Sequence, residues 1–108
     1  MPERIHSFAE FWPVYLRAHS DKRCRAMHYV ASTIGLVALG ALVATGDWRW
    51  LVAGLVGSYA FAWIGHFFME KNLPLTFKYP LWSLVADYRM FFRWLSGGLR
   101  HDLARAGA

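Results

Sequence analysis

In the stretch IGHFFMEKNLP, residues 64–74, His66 is followed four positions later by Glu70. On a helix that spacing puts an imidazole and a carboxylate on one face, one turn apart. A second histidine, His28, stands at the head of another apolar run, and a third, His19, lies just before Ser20-Asp21. His28 is eighteen residues before Gly46 and His66 is eighteen after Trp48, so an antiparallel hairpin turning between them brings the two rings to the same depth. Glu70 then falls one turn nearer the open end, and an N-cap at Ser20-Asp21 would let the preceding helix fold across it with His19. Two or three imidazoles with one carboxylate suit a first-row divalent metal, and two histidines with a carboxylate and open positions are the ligand set of non-haem iron(II) oxygenases. Zinc accepts the same donors.

The same side chains also have plainer readings. A histidine at a membrane interface can hydrogen-bond a backbone group or a lipid head group, and Glu70 can pair with Lys71 or Arg25 as a surface ion pair. His28 and His66 on facing helices are also placed to take both axial positions of a haem. His6 and His101, near the chain ends among polar residues, read as surface groups. Cys24 is the only cysteine, in DKRCRAMH, so no intrachain disulfide forms; with no cysteine neighbour for a metal knuckle it reads as a bystander.

The elements that carry these groups follow from composition and pattern. A chain of 108 residues makes one small domain. With 56% hydrophobic and 18% aromatic residues it has too little polar surface to clothe a soluble particle, and a membrane solvent resolves that. Residues 27–45 carry no ionisable side chain except His28 and Tyr29, and at about 1.5 Å per residue they reach about 28 Å, enough to cross a hydrocarbon core. Gly46-Asp47 supplies a turn, Trp48 and Trp50 an interfacial belt, and a second apolar run covers 51–69. The predicted fold is all-α: an integral membrane antiparallel helical hairpin of two transmembrane helices, 22–45 and 48–70, with amphipathic interfacial helices at 7–19 and 80–95 and a polar tail at 97–108. Gly35, Gly40 and Ala44 on the first span, with Gly54, Gly57 and Ala60 on the second, are the small residues that would let the helices approach.

The flanking helices have their own signals. Ser7-x-x-Glu10 is a capping-box pattern, and Pro13 either starts the first helix or kinks it. From Pro80, the residues Leu81, Leu84, Val85, Tyr88, Phe91, Phe92 and Leu95 recur on a helical period. Asp87, Arg89 and Arg93 within that segment argue against a third span. No internal repeat, Gly-rich phosphate loop or Ser/His/Asp arrangement is present.

The formal net charge of +5 comes from Lys and Arg that flank the apolar runs and form no stripe, which favours anionic lipid over nucleic acid as partner. Arg17, Lys22, Arg23 and Arg25 lie on one flank and Lys71, Lys78, Arg89 and Arg93 on the other, against Arg49 alone in the connecting loop. The positive-inside rule then puts both termini in the cytoplasm. The apolar runs start too late, near residue 27, for a cleaved secretory signal.

The segments FWPVYLRAHSDKRCRAMH, FAWIGHFFMEKNLP and TFKYPLWSLVADYRM, with GHxxxExNxP as the most specific element, resemble the membrane family of the fungal 2-hydroxy-palmitic acid dioxygenase over roughly residues 8–92. The fungal enzyme is longer, and TFKYP departs from its pattern. The resemblance implies an iron(II)-dependent α-oxidation in which a 2-hydroxy fatty acid and O2 give a fatty acid one carbon shorter and CO2. It implies His19, His28 and His66 as iron ligands, with Glu70 accompanying the last. Arg23, Arg25 or Lys71 would neutralise the substrate carboxylate while the acyl chain stays in lipid. A homo-oligomer would supply the segments that the shorter chain lacks. Two other classes stay open from the residues alone: a bis-His haem electron carrier, and a non-catalytic membrane module binding lipid or a partner.

Overall fold

A computed structural model describes residues 5–108, and among these it contains helices and no strands. The order is α1 (Phe8–Arg17), α2 (Lys22–Thr45), α3 (Arg49–Ile64), a π-helical segment (Gly65–Glu70), a 3-10 turn (Leu75–Phe77), α4 (Pro80–Ser96) and α5 (Leu99–Ala106). The chain divides into two compact units: Asp21–Lys71, and the residues up to Ser20 together with Asn72–Ala108.

The unit Asp21–Lys71 is a helical hairpin. Asp21 caps α2 by accepting from the Arg23 amide at 2.8 Å, and the neighbouring Arg23 guanidinium holds its carboxyl down to about 2. At the far end Gly46 takes the left-handed conformation (φ 69°) that an α-carbon without a side chain adopts freely, and its amide closes on the Leu42 carbonyl. Asp47 accepts from the Arg49 amide at 3.0 Å and starts the return. Lys22–Thr45 and Arg49–Glu70 are both long and apolar enough to cross a membrane, with mean hydropathy 1.7 and 1.5. Only 22% of each apolar window is buried, so neither is a core helix of a soluble globule.

The two helices meet along a seam of small residues. A Cβ added at Gly54 would lie 2.7 Å from the Ala38 Cβ, and one at Gly57 would lie 3.1 Å from the Ile34 Cγ2. Ser58 donates from its hydroxyl to the Ala31 carbonyl at 2.9 Å, a bond that stays inside the hairpin where lipid offers no partner. The seam uses only part of the expected set: Gly54 and Gly57 lie in it, whereas Gly40, Ala44 and Ala60 face outward. On α2 the approach is made by Ala31, Ile34 and Ala38, because the facing stripe runs through these positions.

The other unit packs α1 with α4 and α5. Ser7 Oγ accepts from the Glu10 amide at 3.2 Å, and Glu10 reaches back to the His6 amide at 3.4 Å, one residue beyond the usual capping-box partner. The helix continues through Pro13, which leaves the Ala9 carbonyl without its intrahelical donor. Phe11, Tyr15 and Leu16 are its buried residues, and the Phe11 ring lies 5.4 Å from Tyr79 and 5.6 Å from Trp82. On α4 the buried positions are Ser83, Ala86, Met90 and Phe91, while Leu81, Leu84, Val85, Phe92 and Leu95 are exposed. Most of the apolar stripe of α4 therefore faces away from the unit, as on a helix lying in an apolar medium. Residues 97–108, expected as a polar tail, are not a loose end. Leu99–Ala106 is helical, with Leu99 and Ala106 buried, held by the Arg93–Asp102 ion pair at 2.8 Å and by Arg17 donating to the Ala106 carbonyl.

Asp87 is half-buried, with Tyr15 donating its hydroxyl to the carboxylate, and desolvation pushes its carboxyl up to about 7 despite that bond. Two measurements follow. Gly54→Ala should destabilise the hairpin by about 1–3 kcal/mol through overpacking, against at most about 0.5 kcal/mol for Gly40→Ala, read by unfolding in mixed micelles. Because folded Asp87 binds its proton more tightly than an unfolded carboxyl at 3.8, its contribution is fully present below that value. It is lost as pH rises through about 7. Thermal stability should fall across that window, and Asp87→Asn should flatten the fall; Asp21 and Asp102, whose values are lowered, act with opposite sign at more acid pH.

Candidate metal centre

His28 lies in the second turn of α2, where its Nδ1 is 2.9 Å from the Cys24 carbonyl. A carbonyl oxygen only accepts, so Nδ1 carries the proton and Nε2 presents its lone pair, the tautomer a metal ligand needs. The Cys24 Sγ is 3.7 Å from the same ring nitrogen. Across the seam, His66 is the second residue of the π-helical segment, and its ring stands edge-on to His28 with centroids 4.9 Å apart at 87°. One donor atom from each of Cys24, His28 and His66 lies within 4.8 Å of the others, and all three residues are buried.

Two local features hold this arrangement. The first is Gly65: a Cβ there would lie 3.0 Å from the Cys24 Sγ and 3.3 Å from the Cys24 Cα, so a side chain at this position would push Cys24 away by a few tenths of an ångström, and glycine lets the two backbones meet beside the donors. The second is the π-helical turn over Gly65–Glu70, whose wider ring re-aims the residues within it. Lys71 closes that turn in the left-handed conformation (φ 59°), its amide donating to the His66 carbonyl. Such turns concentrate at functional sites.

The expected site residues separate into groups. His28 and His66 come together as the depth count predicted. Glu70 does not join the clustered donors: its Oε2 accepts from the Asp21 amide at 2.5 Å, fastening the end of the second span to the first residue of the hairpin. The reason is the orphan amides at a helix start, which a carboxylate satisfies well. Arg23 is engaged by Asp21 at 2.9 Å and is largely solvent-facing, Arg25 is half-buried, and Lys71 is exposed. His19, in the other unit, follows α1; it is buried, stacks on Tyr15 with centroids 4.0 Å apart, and lies with Nδ1 2.6 Å from the Tyr15 carbonyl. A carbonyl oxygen only accepts, so the ring proton of His19 also sits on Nδ1. Cys24, read as a bystander, belongs with the donors, and its four-residue spacing from His28 is the signal that could have found it.

Buried His19, Cys24, His28 and His66 are donors of the types a metal ion takes. Two ligands on one ion at about 2.1 Å each sit about 3–4 Å apart, and the donor atoms of the hairpin lie within 4.8 Å of one another. A haem held between His28 and His66 does not fit, because rings in edge-to-face contact leave no room for a porphyrin.

Fold and donors together define a helical protein with a buried histidine–cysteine centre and two spans of membrane length. The family described as 2-hydroxy-palmitic acid dioxygenase Mpo1-like matches residues 5–99, and the chain belongs to that family. No curated protein and no solved structure matches it.

Purified protein should retain close to one metal ion per chain, and His28→Ala and His66→Ala should each abolish this by elemental analysis. Gly65→Ala, which displaces Cys24 without removing a donor, should weaken cobalt(II) affinity about 10- to 100-fold.

Proposed function

We propose that this protein is an integral membrane, iron(II)-dependent dioxygenase that converts a 2-hydroxy fatty acid and O2 to a fatty acid one carbon shorter, CO2 and water. The observation that carries the reading is the pair of buried imidazoles at 4.9 Å, in a chain of a family described by that activity. The stoichiometry closes on one O2, whose four electrons match the oxidation of the α-carbon and the carboxyl carbon, so no second reductant is required.

His28 and His66 supply two ligands and His19 a third. The proposal for His19 rests on its burial, its fixed tautomer and its position two residues before Asp21, which is pinned to Glu70. Iron(II) with open positions would supply substrate chelation and O2 chemistry. The chain's own groups do the rest. The carbonyls of Tyr15 and Cys24 hold the ring protons on Nδ1, Glu70 keeps the open end of the hairpin closed, and Arg25 and Lys71 offer charge for the substrate carboxylate. Arg23, held by Asp21, contributes to the field at the membrane surface. Both termini face the cytoplasm, and the acyl chain lies against the outward apolar surface of the hairpin, which removes the need for a long enclosed pocket.

Protein purified without oxygen, loaded with iron(II) and given 2-hydroxypalmitate and O2 should release CO2 and the C15 acid. His28→Ala and His66→Ala should lower turnover by more than about 100-fold. Metal retained without turnover on any 2-hydroxy acid would replace this reaction with another at the same site. Absence of bound metal would favour the non-catalytic membrane module.

A further inference from the structure

The i to i+4 spacing sets Glu70 beside His66 as the anion of the site, yet in the fold its Oε2 accepts from the Asp21 amide. Cys24 is fully buried, with Sγ 3.7 Å from the His28 Nδ1. The sulfur lies against Gly65, the residue before His66, where an added Cβ would be 3.0 Å from it. One donor atom from each of Cys24, His28 and His66 lies within 4.8 Å of the others. All three belong to the unit Asp21–Lys71. Among the described residues buried in that unit, no other has a side chain that forms an anion in the ordinary pH range.

We propose that Cys24, bound through its sulfur as a thiolate, is the anionic ligand of the metal centre, the role that the two-histidine-one-carboxylate pattern gives to a carboxylate. The proposal rests on the reading of His28 and His66 as metal ligands, and it holds with or without His19. It makes the hairpin by itself a sulfur–imidazole site for a divalent cation.

Charge and position both support this assignment. A divalent ion held by neutral imidazoles alone keeps its full charge, which an apolar interior tolerates poorly. When Cys24 binds, its S–H bond breaks, the proton leaves to solvent and the sulfur lone pair forms the bond to the ion. One positive charge is thereby offset inside the site. The four-residue spacing sets the sulfur and His28 on one face of α2. The Cys24 carbonyl accepts from His28 Nδ1 at 2.9 Å, so the residue that supplies the sulfur also orients the neighbouring ligand. Sulfur narrows the choice of ion as well: thiolate with imidazole favours zinc-like ions, whereas a carboxylate in its place favours manganese.

Spectroscopy of the metal-loaded full chain tests the assignment without any turnover. Protein in detergent micelles is titrated with cobalt(II) and followed by optical absorption, and zinc-loaded protein is measured by X-ray absorption. Wild type should give a near-ultraviolet sulfur-to-cobalt charge-transfer band, and one sulfur at about 2.3 Å from zinc beside nitrogens at about 2.0–2.1 Å. Cys24→Ser of native helicity should lose the band and the sulfur shell. It should also bind cobalt(II) more weakly by at least the about 10-fold that loss of a supporting partner alone costs. Cys24→Asp should recover affinity without the band and shift preference from zinc towards manganese. Stoichiometric cobalt(II) with no sulfur band, or equal affinity in Cys24→Ser, would overturn the proposal and leave the histidine centre standing. If Cys24→Ser fails to fold, the wild-type spectra decide. A wild-type chain that binds no cobalt(II) would overturn the proposal together with the metal reading. Turnover of 2-hydroxypalmitate is measured separately: its absence beside an intact sulfur band would remove the proposed reaction and keep Cys24 as a ligand.

Discussion

Everything in the hairpin depends on how closely its two helices approach. Ala38 against Gly54, Ile34 against Gly57 and Cys24 against Gly65 are three contacts in which an added Cβ would meet its neighbour at 2.7 to 3.1 Å. In lipid no hydrophobic force drives two apolar helices together, so the attraction must come from backbone-close packing and the occasional internal hydrogen bond. Ser58 to the Ala31 carbonyl is one such bond. The same closeness sets the spacing of His28 and His66, so the contact that holds the hairpin also builds the donor cluster.

Polarity is arranged to suit that solvent. The interior of the hairpin carries Ser32, His28, His66 and Cys24, whereas Val37, Leu39, Val43, Leu55, Val56 and Phe68 face outward. On α4 most of the apolar stripe is likewise exposed, and smaller residues with a carboxylic acid face inward. Burying polar groups is tolerable because they are satisfied locally: the histidine tied to its i−4 carbonyl on α2, and Asp87 by a phenol. In each case the bond that satisfies the group also fixes its orientation. Oriented imidazoles cost little to recruit for a metal, because the ring rotation and tautomer are already chosen.

Of this, the sequence alone determined the two spans, their antiparallel return at Gly46-Asp47, and the common depth of His28 and His66, because hydropathy, turn chemistry and a fixed rise per residue are local properties. It also carried the family relationship, through GHxxxExNxP and its flanks. It did not reveal that Cys24 stands among the donors, that Glu70 serves the Asp21 amide, or that residues 65–70 form a π-helical turn. A helix wheel treats i and i+4 as neighbours, and the widened turn with the left-handed Lys71 changes what each of those residues meets.

The same division holds in the other unit. The period from Leu81 to Leu95 announced an amphipathic helix, but not which side would face its neighbours; the structure turns Ser83, Ala86 and Met90 inward and most of the apolar stripe outward. The polar composition after Gly97-Gly98 suggested a loose tail, and only the Arg93–Asp102 pair and the Arg17 contact with Ala106 make it a docked helix. The sequence by itself fixes which segments are helical and how deep each ionisable group lies, since these depend on neighbours along the chain. Which groups meet is a matter of tertiary structure, because the contacts of Cys24 with Gly65, Asp21 with Glu70 and Tyr15 with Asp87 join residues 41 to 72 positions apart, and only close packing selects among the partners that such distances allow.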